Sequence, residues 1–236
     1  MNTIRRTSVS LWVRRLLVYV CGLFCIALGI AFSAKSGLGV PPVGSPANVL
    51  YQIGRDRGLP ETVFNLGNWT IAVYCVYILA QILLLGKKFR PVQLLQLVVS
   101  FLFGYMVNFA VALLSGLPAP THYATRLMYL LVNIPLVALG VMMYLIPELL
   151  PTPGEGVVLA MRERWNTSVG TGKTIFDCTV VAIAVILSLA WFRAFVGVRE
   201  GTVISALLTG FVIKLLQRFL QKSLRRFVWR GEAEKE

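Results

Sequence analysis

The sequence is poor in the residues that catalysis and metal binding use. Its 236 residues include one histidine, four cysteines and only 14% charged residues. A single histidine excludes the HExxH zinc motif, and the absence of a Cys-x-x-Cys or Cys/His pattern argues against a metal site and a disulfide framework. Gly172-Lys173-Thr174 resembles the end of a phosphate-binding loop, but Thr167 stands where that loop needs a glycine. The sequence therefore predicts neither an enzyme nor a bound cofactor.

Long apolar segments dominate what is present. Hydrophobic residues make up 57% of the chain and the mean hydropathy is +0.74, which is not typical of a water-soluble domain. Most of the six apolar runs are close in length to the ~20 residues that a helix needs to cross a hydrocarbon layer of ~30 Å. We therefore expect an all-α integral membrane protein, a single domain over residues 1–236. Its predicted helices cover residues 16–34, 63–85, 92–115, 126–146, 175–192 and 202–220.

The positive charge is distributed as in a multi-pass membrane protein. The formal net charge is +13, and an even number of helices places both termini on one side of the membrane. If that side is the cytoplasm, sixteen of the 23 Lys and Arg residues are cytoplasmic and six are outside, as the positive-inside rule requires. We therefore predict cytoplasmic termini, a basic C-terminal tail over residues 222–236 against anionic lipid headgroups, and no nucleic-acid partner. The first apolar run is longer than the core of a signal peptide and is predicted to be a retained helix.

The second half of the chain repeats the first half. The Ala-Leu-Gly triplet at residues 27–29 returns at residues 138–140, an offset of 111, and later matches have an offset of 112. The two predicted repeats cover about residues 12–115 and 124–221. Each contains three hydrophobic segments, so the second copy is inverted in the membrane, an arrangement typical of transporters. The alternative is chance similarity, because apolar sequences use few residue types.

A Pro/Gly-rich segment follows the first and the fourth helix, and these two breaks are the core of the predicted site. They cover residues 35–48 and 147–156, and each leads into a helix-compatible run. If the breaks are re-entrant, inverted repeats bring the two new helix N-termini together near the middle of the membrane, where free N–H groups favour an anionic substrate group. The alternative is a pair of ordinary loops with interfacial helices. The residues assigned to the site from the breaks are Pro42, Gly44, Asn48, Pro153, Gly154 and Glu155.

Two acids and one amide complete the predicted site. Glu155 aligns with Gly44 in the repeat, and the sequence suggests no capping role for it. Asp177 aligns with Asn65 of the second helix and is expected in the first turn of the fifth helix, where it either complements the helix dipole or pairs with Lys173. A partly buried carboxyl group can have a raised pKa and exchange a proton. Proton coupling through Glu155 or Asp177 is therefore a hypothesis, and Glu155 is the favoured group.

A further pattern connects the ends of the first and fourth helices. A Gly-Leu-Gly segment at residues 37–39 and a Pro-containing break follow the first helix, and the second copy has Pro-Gly-Glu at residues 153–155. Through residues 27–50 and 151–177 the chain resembles the YczE/YyaS/YitT family of bacterial integral membrane proteins. The resemblance implies a multi-pass protein of the bacterial cytoplasmic membrane and implies no defined activity. That family typically has an acid after the proline of the first break, whereas residues 42–45 have none, so two symmetric acids are not implied.

Three functions from different classes are compatible with these patterns. Inverted repeats with interrupted segments favour a small secondary transporter or flippase-like carrier for a small anionic or amphipathic solute, with or without proton coupling. The second interpretation is a substrate-binding membrane subunit of a vitamin-type importer, for which inverted repeats are not expected. The third is a non-transporting scaffold or regulator. The predicted partners are the lipid bilayer and an unidentified small-molecule substrate, and the small size of the unit is compatible with a homodimer.

Overall fold

The computed structural model describes residues 2–230 of the backbone, with side chains from residue 9 onwards. The described chain is helical and contains no strand. Its helices are α1 (Asn2–Ser36), α2 (Ser45–Asp56), α3 (Leu66–Leu85), α4 (Gln96–Leu113), α5 (Tyr123–Leu145), α6 (Pro153–Trp165), α7 (Val169–Phe192) and α8 (Glu200–Val228). Six of them, all except the short α2 and α6, are long and apolar enough to cross a membrane. The prediction of an all-α multi-pass membrane protein with six long helices is confirmed.

The order of the helices is the same in the two halves of the chain. Each half contains a long helix, a short helix and two further long helices, as α1–α4 and then α5–α8. The packing repeats as well: α1 lies along α5, α1 packs on α4 as α5 packs on α8, and each short helix packs on the long helix that follows it. Each short helix also contacts the corresponding long helix of the other half, α2 on α7 and α6 on α3.

The contacts between α1 and α5 follow the repeat residue by residue. A Cβ atom built on Gly29 would lie 3.2 Å from the carbonyl oxygen of Asn133, and one on Gly140 would lie 2.6 Å from that of Gly22. Adding the offset of 111 to Gly29 and Gly22 gives Gly140 and Asn133, so the two contacts are equivalent under the repeat. The repeated Ala-Leu-Gly triplet thus marks the line along which the two halves meet.

Several helix ends differ from the prediction. α7 begins at Val169, six residues before the predicted start, because Ser168 caps it by accepting a hydrogen bond from the Thr171 N–H at 3.1 Å. The first turns of α7 are polar, so hydropathy alone locates its start too late. α8 continues to Val228, because the residues after 220 include good helix formers such as Leu, Gln, Lys and Arg. The first residues of the predicted basic tail are therefore helical, and residues 231–236 lie outside the described residues.

Both ends of the described chain lie on one side of the protein, as an even number of crossings requires. The Arg14 guanidinium donates to the carbonyl oxygen of Arg230 at 2.7 Å, and the Arg15 guanidinium lies over the ring of Trp229 at 4.7 Å. We call this side the termini side and the other the loop side.

Candidate functional site

The two short helices begin inside the protein and end on opposite sides of it. α2 ends on the loop side, where the Trp191 indole at the end of α7 donates to the Asp56 carboxylate at 3.0 Å. α6 ends on the termini side, where Glu163 lies 3.9 Å from Lys88, just after α3. The first residues of both helices are buried between the long helices. The burial of both helix starts favours the re-entrant interpretation over interfacial surface helices.

The N-terminal ends of α2 and α6 meet inside the protein. A Cβ atom built on Gly154 would lie 2.8 Å from Val43 Cγ1 and 3.5 Å from the Phe176 ring, so any larger residue there would force Val43 to move. The Tyr77 hydroxyl donates to the Val43 carbonyl oxygen at 2.9 Å, and its ring packs edge-on against Phe176. We call this meeting point, where α2, α3, α6 and α7 converge, the junction. Its existence confirms that the two breaks approach each other.

The prolines of the two breaks start helices at the junction. Pro42 begins a short 3-10 turn that ends at Gly44, directly before α2, and Pro153 is the first residue of α6. Proline suits the first turn of a helix because its missing N–H would have no partner there. Pro42 and Gly44 therefore flank Val43 at the junction, and Pro153 and Gly154 face it from the other repeat.

A buried pair of amides holds the start of α6. Gln81 Nε2 donates to the Pro153 carbonyl oxygen at 3.1 Å and to Gln96 Oε1 at 2.9 Å, while Gln96 Nε2 donates back to Gln81 Oε1 at 3.2 Å. A Cβ atom built on Gly156 would lie 2.5 Å from Gln81 Oε1, so the amide pair also requires glycine there. Sequence reasoning missed Gln81 and Gln96. The signal was available, since each is an uncharged amide inside an apolar run that offers it no solvent.

Glu155 lies in the first turn of α6, next to the junction. Its neighbours within electrostatic range include Tyr19 of α1, Tyr74 of α3, and Lys173 and Asp177 of α7. In the described part of the chain the Glu155 carboxyl group has neither a hydrogen bond nor an ion pair. A first-turn acid does complement the helix dipole, so Glu155 has the helix-terminal role that the sequence did not suggest.

The charge state of Glu155 is set mainly by desolvation. Loss of solvent raises the pKa of the Glu155 carboxyl to about 7, Lys173 lowers that pKa, and Asp177 raises it. Glu155 lies in α6, outside the six long apolar helices, and its side chain is partly buried. A carboxyl group with a pKa near neutrality exchanges its proton in the physiological pH range.

Asp177 and Asn65 are not equivalent in the structure. Asp177 is eight residues into α7, in its third turn rather than its first, because α7 begins early; the expected dipole role is therefore wrong. The predicted pairing is confirmed, since Lys173 Nζ lies 2.6 Å from Asp177 Oδ1. Asn65 instead caps α3 on the loop side, where its Oδ1 accepts from the Asn68 N–H at 2.9 Å. The junction therefore brings Asp177 near Glu155 and leaves Asn65 outside.

Asn48 is buried but lies apart from the junction. It is one turn further along α2, and its Nδ2 donates to the Gly197 carbonyl oxygen at 2.6 Å, in the segment between α7 and α8. Of the residues assigned from the sequence, the structure therefore groups Pro42, Gly44, Pro153, Gly154, Glu155 and Asp177 at or beside the junction. No group of three or more His, Cys, Asp or Glu side chains that could hold a metal occurs among the described residues.

Comparison with known proteins gives one match. A model of a family of unknown function, DUF6198, matches residues 13–218, from the first turns of the α1 span to the last third of α8. The match covers most of the chain, which therefore belongs to that family. No curated protein and no solved structure is matched. The resemblance to the YczE/YyaS/YitT family is not addressed by this match and stays a prediction.

Proposed function

Starting from membership in the DUF6198 family, we propose that this protein is a small proton-coupled carrier that binds its solute at the junction. The observation that carries the proposal is the position of Glu155, a carboxyl group without a partner in the described chain and with a pKa raised to about 7, where two re-entrant helices meet. Interrupted helices that meet near the bilayer midplane are the usual construction of secondary-transporter sites.

The depth of the junction supports this proposal. Tyr19, Tyr74 and Asp177 lie eight to fourteen residues from the termini-side ends of the α1, α3 and α7 spans. At 1.5 Å per residue that is roughly 12–21 Å, near the middle of a hydrocarbon layer of ~30 Å. Burying a carboxyl group at this depth costs free energy, and ionisable residues kept there usually belong to a substrate or proton pathway.

The electrostatics favour exchange of a proton for an anionic solute group. The N-terminal ends of α2 and α6 point at each other, and both present positive partial charge to the junction. A solute carboxylate or phosphate would compete with an ionised Glu155 for these N–H groups, and protonation of Glu155 would remove that repulsion. We therefore propose that solute and proton bind together, in symport.

The proposal is tested with the purified full-length chain in detergent and then in liposomes. A panel of organic anions and amphiphiles is screened for ligands that raise the unfolding midpoint of the wild type and of Glu163→Gln, a control on the exposed end of α6. A ligand at a hundredfold excess over its Kd stabilises the folded state by about 2.7 kcal/mol. We expect Glu155→Gln to abolish the dependence of that binding on pH.

Transport is then measured as solute uptake into liposomes with an imposed pH gradient. We expect uptake to follow the gradient in the wild type and in Glu163→Gln, and to become independent of the gradient in Glu155→Gln. If the protein unfolds cooperatively but binds no compound of the panel and transports no solute, the carrier function is contradicted and a scaffold function is favoured.

A further inference from the structure

A second site lies on the loop side, apart from the junction. A pocket of about 190 Å³ with mixed polar and apolar lining opens between the end of α1, α2 and the segment before α8. Its polar lining includes Asn48 and Gln52 of α2 and Arg199 at the start of α8. Asn48 and Gln52 are four residues apart, so they lie on the same face of α2.

Asn48, which lines this pocket, has an unsatisfied acceptor. The residue is 2% exposed, and its Nδ2 is fixed by the 2.6 Å hydrogen bond to the Gly197 carbonyl oxygen. That bond also fixes the amide orientation, because the flipped amide would place two oxygens against each other. The buried Oδ1 accepts no hydrogen bond from the described residues. A buried acceptor without a donor is unfavourable, which points to a ligand that donates to it.

Arg199 lies on the wall of the pocket and is paired with Glu200, which lines the adjoining cleft. Its Nε and Nη2 bond to the Glu200 carboxylate at 3.2 Å each. The Nη1 donors of the guanidinium remain free within the described chain. The N-terminal end of α8, which begins at Glu200, adds positive partial charge at the same place. The pocket therefore combines an acceptor for a donor group with donors for an anion.

An apolar cleft continues from this pocket. The cleft separates α7 from α8, has a volume of about 460 Å³, and is lined by Val181, Val185 and Val203, among others. Phe195 and Arg199 line both the pocket and the cleft. Val181 lies eleven residues before the end of α7, which places it roughly 16 Å below the loop-side end of that helix. The cleft thus runs from the interface into the apolar layer.

We propose that the pocket and the cleft together bind one amphiphile, with a phosphate-containing head in the pocket and an acyl chain in the cleft. The phosphate contacts the Arg199 guanidinium, and a hydroxyl or ammonium group of the same head donates to Asn48 Oδ1. The chain covers Val181, Val185 and Val203. This inference goes beyond the proposed carrier function, because binding here requires neither the junction nor transport.

The first experiment compares a whole amphiphile with its parts. Lysophosphatidylglycerol, glycerol phosphate and dodecanol are titrated into the full-length protein in a neutral detergent, and bound ligand is counted by native mass spectrometry. We expect saturable one-to-one binding of lysophosphatidylglycerol, with each part binding about tenfold more weakly or worse. If glycerol phosphate binds as tightly as lysophosphatidylglycerol, the pocket binds a soluble phosphate. If dodecanol binds as tightly, only the cleft contributes to binding. Either result overturns the proposal, as does binding that does not saturate.

The second experiment tests the two halves of the site separately. Arg199→Gln removes the anion contact and Val203→Trp fills the cleft, and each is expected to weaken lysophosphatidylglycerol binding by about tenfold. Leu207→Trp is the matched control, since Leu207 is four residues further along α8, 72% exposed and outside the cleft lining. Unchanged affinity in Val203→Trp, or an equal loss in Leu207→Trp, overturns the proposal. Asn48→Leu, which removes the buried acceptor, is a further test if this variant unfolds cooperatively. Arg199→Gln and Val203→Trp test the proposal without it.

Discussion

The two repeats share their helix order but differ in how their last two long helices pack. In the first repeat, α3 and α4 touch at Gly67 and Gly104, and the Gly67 N–H donates to Asn108 Oδ1 at 2.8 Å. In the second repeat, an apolar cleft of about 460 Å³ separates α7 from α8. Gly210, in the middle of α8, has no other atom within 4 Å of its would-be Cβ position. We call α3 and α4 the closed pair and α7 and α8 the open pair; the same order of helices therefore allows both kinds of packing.

The burial of the long helices shows the same difference. In the most apolar stretch of each helix, 39% of residues are buried in α3 and in α4, against 22% in α7 and 6% in α8. The closed pair is therefore the better candidate for a rigid support. The closed pair also holds the start of α6 through Gln81 and Gln96. The repeated sequence therefore keeps the order of the helices, while the packing of the last two helices differs between the repeats.

The largest expected effect comes from breaking the closed pair. Gly67→Ala places a methyl group against the Gly104 carbonyl oxygen and the Asn108 amide, so we expect a loss of at least about 3 kcal/mol in the free energy of unfolding. Gly210→Ala is the matched control and should stabilise the protein by up to about 1 kcal/mol through helix propensity. Thermal or denaturant unfolding in detergent measures both. Equal effects at the two glycines would show that α3–α4 contact does not determine stability.

The next effect concerns the acid that only the second break contains. The folded-state pKa of Glu155, about 7, is above its ordinary value of 4.5. The folded protein therefore binds the proton more tightly than the unfolded chain, and its stability should fall as pH rises from about 4.5 to about 7, by at most about 3 kcal/mol.

Variants of the two acids on α6 check this pH dependence. Unfolding midpoints between pH 4.5 and pH 8 should vary less with pH in Glu155→Gln than in the wild type, while Glu163→Gln keeps the wild-type slope. A slope that survives in Glu155→Gln would assign the titration to another group.

A smaller effect is expected at the amide pair that ties α6 to the closed helices. Gln81→Leu leaves the Gln96 amide without its partner and should cost about 2 kcal/mol of stability. The double variant Gln81→Leu/Gln96→Leu removes both buried amides and should be less destabilised than the sum of the two single variants. A double-mutant cycle of unfolding free energies measures the coupling. Additive losses would mean that the two amides stabilise α6 independently.

The smallest effects separate the outer ends of the two re-entrant helices. Trp191→Phe removes the hydrogen bond to Asp56 and should cost about 1 kcal/mol. Glu163→Gln removes only the exposed 3.9 Å pair with Lys88 and should change stability by less than about 0.5 kcal/mol. Hydrogen exchange of the α2 and α6 amides would show the same order. Greater opening of α2 than of α6 in the wild type would reverse this ranking of the two ends.

The sequence was sufficient to predict the six long helices and the approach of the two breaks to each other. Apolar length located six long helices, and Pro42 and Pro153 correctly marked the two interruptions. It was insufficient for contacts that depend on the rotation of one helix against another. The reciprocal bonds of Gln81 and Gln96 are one such contact, and the opening between α7 and α8 is another. Asp177 was assigned to a first turn because the Ser168 cap precedes a polar stretch that hydropathy does not recognise as helix.

The glycine contacts between α1 and α5 have a mechanical consequence. Where Gly22 and Gly140 meet, the two backbones touch, because a Cβ atom on either glycine would lie 2.6–2.8 Å from the carbonyl oxygen of the other. The spacing between α1 and α5 is therefore set by their backbones, and we expect it to stay fixed even if contacts between other helices change.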